Sequence, residues 1–192
     1  EEPLGPTSTG TGLAGYAFEE MTLNEETRLQ GGLRFDYSKV HAKPTELEAE
    51  NGEEPDTTFA HIDETRDWNS LTGSLGVLHE FGALVGTFSL GRSFRAPTVQ
   101  ELFAGGPDKP SGTFTIGDDG LTPETGFGID ASVKGAYRKW KFEVSPYAIF
   151  MKDYIYGFLT GDTLDNLPVR QFSATDAQLL GFEASITVEV AP

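Results

Sequence analysis

The sequence predicts an all-β chain: an antiparallel up-and-down meander of about eight strands, forming a segment of a transmembrane β-barrel or a small version of one. Three observations lead there. Apolar and polar residues alternate with period two along most of the chain. Helical periodicity is nearly absent. The connections between alternating runs switch between short and long, as they do in barrels with tight periplasmic turns and long outer loops.

The alternation is clearest in the second half. Phe127, Ile129, Ala131, Val133 and Tyr137 share one face, against Asp130, Ser132, Lys134 and Arg138 on the other. The next run sets Trp140, Phe142, Val144, Ala148 and Phe150 against Lys141, Glu143, Ser145 and Tyr147. Leu180, Phe182, Ala184, Ile186 and Val188 alternate with Gly181, Glu183, Ser185 and Thr187. Earlier runs repeat the pattern: Leu29, Leu33, Phe35 and Tyr37; then Leu71, Leu75 and Val77; then Leu84, Phe88 and Leu90. The predicted strands are 13–22, 27–42, 66–80, 83–95, 124–138, 140–157, 168–174 and 177–190. Tight connections are expected at 22–26, 80–83, 138–140 and 174–177. Long loops are expected near 43–65, 96–123 and 157–167, within one barrel segment over 1–192. A helix is expected only as a turn or so near Thr98–Phe103. The apolar residues of neighbouring strands are expected to share one face, which meets lipid.

Composition bounds the function. The chain has 192 residues, an apolar share of 38% and a net charge of −16. The apolar share is low for a soluble core of this size but ordinary for a barrel wetted inside. The negative charge argues against nucleic acid as a partner. Cysteine is absent, so there is neither a disulfide framework nor thiolate chemistry. No secretory signal is read in Glu1-Glu2-Pro3-Leu4-Gly5-Pro6, and no apolar run approaches the ~18 residues of a spanning helix. A nucleophile elbow and a phosphate-cradling glycine loop are both missing, so an enzyme is not expected.

The segment Gly91-Arg92-Ser93-Phe94-Arg95-Ala96-Pro97-Thr98, followed by Glu101-Leu102-Phe103, resembles a signature of TonB-dependent outer-membrane receptors. Four further stretches resemble the same family in its order: Leu29–Asp36, Gly120–Thr125, Asp153–Ile155 and Leu180–Glu183. Together they cover roughly residues 13–190. The positions that carry the signature are Arg92, Phe94, Arg95, Pro97, Thr98, Glu101 and Leu102. The resemblance implies a 22-stranded barrel in the bacterial outer membrane that takes up a scarce ligand, typically a metal chelate or siderophore, with relayed energy. This chain would be an interior piece of that barrel, without the plug domain, and would not transport by itself. Implied partners are outer-membrane lipid, a plug domain and further barrel strands of a parent receptor, a small-molecule or metal-chelate ligand, and TonB through the plug. No cofactor is implied. Two alternatives stay open: a complete eight-stranded outer-membrane barrel for anchoring or adhesion, and a soluble ligand-binding β-barrel.

Single residues allow a functional and a plain reading. Arg92 and Arg95 could face an anionic ligand in the lumen or the plug; the plainer reading pairs them with nearby carboxylates such as Glu101 to hold the strand end. Pro97 ends strand pairing because it has no N–H to give. His41, His61 and His79 match no zinc spacing and read as solvated or interfacial. The acidic run Glu46, Glu48, Glu50, Glu53, Glu54, Asp56, Asp63 and Glu64 does not fit an EF-hand, so no metal site is assigned. Tyr137, Trp140, Tyr154 and Tyr156 read as an aromatic girdle near strand ends. The two outermost strands of a cut barrel have unpaired edges, and these are expected to close on each other or on a second copy.

Overall fold

The computed structural model describes residues 4–44 and 62–190. The chain runs β1 (Thr7–Thr22), β2 (Thr27–Lys43), β3 (Glu64–Phe81), β4 (Leu84–Arg95), α1 (Val99–Phe103), β5 (Gly105–Asp108), β6 (Thr113–Ile116), β7 (Glu124–Tyr137), β8 (Trp140–Leu164) and β9 (Leu167–Val188). The sheet order is β1-β2-β3-β4-β7-β8-β9-β6-β5. The seven long strands form an antiparallel meander, each beside its neighbour in that order, and together they make a wall.

The register aligns the alternation across the wall. One row runs Ala17, Leu33, Gly73, Arg92, Phe127, Phe150, Gln178, and the row below it runs Glu19, Gly31, Leu75, Leu90, Ile129, Ala148, Leu180. Residues opposite each other in a ladder share a face. Leu180, Phe182, Ile186 and Val188 therefore lie on the same face as Phe127, Ile129 and Val133, as the sequence predicts. The intervening residues, such as Gln30, Thr72, Ser89, Asp130, Glu143 and Glu183, form the polar face. Leu180, Phe182 and Ile186 are each at least 70% exposed, so toward the short-turn end nothing among the described residues covers this apolar face. No described helix is long and apolar enough to cross a membrane. The wall would cross with its strands.

Close contact explains two of the wall glycines. A Cβ at Gly73 would sit 2.8 Å from the Gly32 carbonyl, and one at Gly135 would sit 2.6 Å from a Leu84 methyl. Both need the missing side chain.

The structure departs from the predicted elements in five places. The strand 140–157 and the loop 157–167 are one strand: β8 spans 25 residues and turns at Asp165-Asn166. Both turn residues have positive φ, 49° and 61°, the geometry of a tight two-residue hairpin. Gly161 and Asp162 give that stretch a loop-like composition, but the extended chain absorbs them as a register shift between Leu159 and Thr163. The expected turn at 174–177 is also absent: 168–174 and 177–190 belong to a single β9. Its polar residues Thr175 and Asp176 face a bulge in β8 between Met151 and Tyr154, where the Asp153 N–H donates to Asp176 Oδ1 over 3.3 Å. Bulges absorb one extra residue in this way.

Third, the loop 96–123 is folded. It holds α1 and the β5–β6 hairpin, and β6 pairs with β9 in parallel from Phe114↔Val169 to Ile116↔Gln171. The expectation of purely antiparallel pairing fails at this short ladder, because the loop crosses back over the wall and adds itself to the last strand. Fourth, the sheet does not close within the chain: β1 pairs with β2 alone, and β9 pairs with β8 and β6. Closure of the two edges on each other is thereby overturned, and with it the complete eight-stranded barrel. At the long-loop end β6 takes the free edge of β9 over Val169–Gln171, so that stretch is not open to β1. Fifth, Tyr154 and Tyr156 lie within β8 above the bulge, opposite Thr175 and Ser173, and not at a strand end. Tyr137 and Trp140 do pair at the short-turn end, on the apolar face.

Candidate functional site

β4 and β7 are shorter than the strands beside them, so the wall is lower there at its long-loop end. The polypeptide fills that position with α1. Thr98 caps the helix: its Oγ1 accepts from the Glu101 N–H (3.2 Å), and the Glu101 carboxylate accepts from the Thr98 N–H (2.7 Å). This reciprocal box satisfies two donors that a helix start otherwise leaves open. Pro97 precedes the cap and cannot continue the strand ladder. The helix then turns Leu102 and Phe103 into the main buried cluster, with Ala42, Leu121 and Ile155. Trp68 from β3 and Phe172 and Ala174 from β9 pack around it. The β8 bulge contributes here. Below it the even residues Phe142 to Phe150 line the apolar face; above it the odd residues Ile155 and Gly157 hold that parity, opposite Ala174 and Phe172.

Arg95, the last residue of β4, ties helix and wall together. Its Nε and Nη2 each donate to Glu124 over 2.8 Å, and its Nη1 donates to Glu101 over 2.8 Å. Glu124 opens β7 directly opposite Arg95 in the ladder. Its Oε1 also accepts the Ile155 N–H at 2.6 Å, beside the bulge in β8. One guanidinium thus joins the end of β4, the start of β7, the helix cap and, through Glu124, β8. A two-pronged Arg–carboxylate pair fixes orientation as well as distance. The Glu124 side chain is 6% exposed, against 41% for Arg95. Burial alone would raise the pKa of Glu101, but hydrogen bonds from Arg95 and Thr98 outweigh it and hold the carboxyl below its ordinary value.

The two signature arginines therefore differ. Arg95 pairs with carboxylates, as the plainer reading expected, and three of its donors are taken. Arg92 does not: it lies on the apolar face, and its Nη1 donates to the Leu71 carbonyl where the β3–β4 ladder ends. Phe94 shares that face two residues on, beside Thr125. The carboxylate sequence reasoning missed as a partner is Glu124. Its signal was the register, since alternation on β4 and β7 aligns Arg95 with Glu124 once Phe88 is set beside Ala131.

The histidines take part in no such centre. His41 Nδ1 lies 3.0 Å from Thr65 Oγ1, and His79 Nδ1 lies 2.8 Å from Thr27 Oγ1. His61 and the acidic positions Glu46, Glu48, Glu50, Glu53, Glu54 and Asp56 lie outside the described residues. Among the described residues no cluster of three potential metal ligands occurs. The arrangement of Arg95, Glu101 and Glu124 is a structural clasp.

A wall with one lipid-compatible face, one polar face, tight turns at one end and a folded loop over 96–123 at the other defines a segment of an outer-membrane barrel. A family model described as "TonB dependent receptor-like, beta-barrel" matches residues 3–189, and the chain belongs to that family. That family is one of outer-membrane receptors and not of enzymes. No curated sequence matches the chain. Solved structures share the fold. The copper transporter OprC superposes with a TM-score of 0.78 at 19% identity, over 96% of this chain and 28% of its own length. A double mutant of the Serratia marcescens hemophore receptor HasR, in complex with its hemophore HasA and heme, gives 0.73 at 15%, over 95% and 32%. The siderophore receptor PirA from Pseudomonas aeruginosa gives 0.59 at 12%, over 96% and 40%. The chain spans less than half of each of these structures.

Proposed function

We propose that this chain supplies part of the barrel wall of a receptor that takes up a scarce ligand, such as a metal chelate, across the outer membrane with energy relayed through TonB. The observation that carries the reading is the two-faced wall over the full match: an apolar face for lipid and a polar face for a lumen. The names of the similar structures, transporters or receptors for copper, heme and siderophores, support a metal-bearing ligand. The plug domain and the remaining strands would be supplied outside the residues described, and TonB would be reached through the plug. A wall segment with its two edges unpaired does not move a ligand by itself. Disrupting the gene in its host under metal limitation should abolish energy-dependent accumulation of a radiolabelled metal chelate, and a protonophore should do the same to the intact strain. Uptake unchanged by the disruption, with iron, heme and copper sources each tried, would sink this reading.

A further inference from the structure

Arg92 stands out because of the face it occupies. Between the row Phe81, Leu84, Gly135, Phe142 at the turn end and its own row, the outward residues of the described wall are apolar or small except for Glu19, Thr27, His79, Arg92 and Gln178, and of these Arg92 is the one cation apart from any charge on His79. Glu19 lies on β1, three strands away, about 14 Å at ~4.8 Å per strand. None of the ion pairs among the described residues includes Arg92. Its Nη1 serves the Leu71 carbonyl, which leaves Nε and Nη2 without an acceptor among the described residues. A cation on a lipid-facing surface costs free energy that rises toward the bilayer centre and falls toward its rim. Arg92 stands near the rim, at the end of the β3–β4 ladder.

Beside it lies an open trough of about 740 Å³. Gly31 and Gly73 form its floor, and Leu33, Leu75 and Leu90 are among its walls, with Arg92 at one side. A volume of this order is that of a small-ligand site. Its lining suits a hydrocarbon chain, and its charge suits an anion. A planar guanidinium with two open donors matches phosphate oxygens.

We propose that the trough holds one anionic membrane lipid, with an acyl chain laid over Gly31 and Gly73 and the headgroup phosphate on Arg92. This rests on the reading of the apolar face as lipid-facing, which sucrose-gradient fractionation of the chain with the outer membrane tests separately.

The lipid itself is tested by native mass spectrometry of the full chain, extracted from the membrane in mild detergent. It is titrated with dioleoyl-phosphatidylglycerol, with dioleoylglycerol, which has the same tails and no phosphate, and with inorganic phosphate. The phospholipid should be retained at one per chain, about tenfold better than dioleoylglycerol, the scale of one charge-assisted contact. Millimolar inorganic phosphate should not displace it. Arg92→Gln should weaken phospholipid retention about tenfold, with Arg92→Lys between it and the parent. Gly31→Leu fills the floor while keeping the arginine, and should also lose the lipid. A Cβ there meets Leu75 and Ser74 at 3.6 Å, ordinary contact, so the fold should tolerate the change. Equal retention of the two lipids would overturn the proposal. So would displacement by inorganic phosphate, which would mark a free-anion site, or a Gly31→Leu chain that binds the phospholipid as before. The comparison of lipids on the unmodified chain decides even if Arg92→Gln folds poorly.

Discussion

Below the row of Arg92 and Phe127 the wall rests on one rule, repeated; above it the same strands depend on particular residues. In the lower part each strand follows its neighbour in register without irregularity, and nothing but the alternation decides which side chain faces lipid. In the upper part the strands differ in length, β3 and β4 separate, β8 carries a bulge and a loop folds back as α1 and β6. There Arg95, Glu101, Glu124 and a small buried cluster do the positioning. Apart from close-packed glycines such as Gly135, the lower wall asks mainly for the right polarity, whereas the upper clasp needs particular atoms at particular distances.

The largest effect should come from violating polarity in the lower wall. Ile129 lies in a central strand on the apolar face. Ile129→Lys should destabilise the chain in lipid vesicles by about 2–4 kcal/mol, measured by denaturant unfolding. Its sequence neighbour Asp130 faces the polar side and makes no described ion pair, so Asp130→Asn should stay within about 0.5 kcal/mol. Equal costs at the two positions would break the assignment of faces.

The clasp should be nearly as sensitive, though locally. Glu124→Gln leaves the Arg95 fork facing a neutral amide and weakens the Ile155 contact. A fully buried pair broken on one side loses about 3–5 kcal/mol, but Arg95 reaches solvent, so about 1–3 kcal/mol is expected here. Hydrogen exchange should show the loss in α1 and the first residues of β7, with the lower wall still protected. Uniform loss of protection would mean that clasp and wall form one cooperative unit and would erase the comparison.

This division also sets what the sequence could disclose. Period-two alternation is a local signal, so the lower wall, its faces and most of its turns were legible from Phe127 to Tyr137 and from Leu29 to Tyr37. The helical turn near Thr98–Phe103 was also expected, and the Thr98–Glu101 box that starts it is local, since its partners are three residues apart. Misreadings fall where composition imitates a turn inside a paired strand. Ser173–Asp176 and Gly161–Asp162 are polar or flexible, yet their backbones are held by a partner strand that no local window contains. The parallel contact of Phe114–Ile116 with β9 has no local signature at all. Glu124 as a partner of Arg95 follows from register, a property of two strands and not of either alone.

A smaller effect isolates the cap from the ion pairs. Thr98→Ala removes the Oγ1 acceptor of the Glu101 N–H while leaving Arg95 and Glu124 untouched. The expected cost is about 1 kcal/mol, the usual value for a lost N-cap. It should appear as faster proteolysis within 96–123 and no change in unfolding of the wall. A cost near that of Glu124→Gln would show that cap and clasp act as one unit.

The smallest effect concerns pH. The folded pKa of Glu101 lies below its ordinary value because Arg95 and Thr98 donate to the ionised form and together outweigh its burial. A depressed folded pKa means that the unfolded chain takes up the proton first as pH falls. The stabilisation from this group is therefore fully present above the ordinary carboxylate value, and it is lost as pH falls through the folded one. Trp68 packs against the buried cluster that α1 completes, so its emission should report the loosening. Trp140 is the other tryptophan, and Trp140→Phe removes it from the signal. In that background the Trp68 emission should hold through neutral pH and shift to the red below the ordinary carboxylate range. Glu101→Gln keeps an oxygen that can accept from Thr98 but loses the charge on Arg95. It should start from a slightly looser state at neutral pH and show a smaller acid shift, the remainder belonging to other carboxylates. An acid shift of the same size in the two chains would remove Glu101 from the account and leave Glu124 as the anion that holds Arg95.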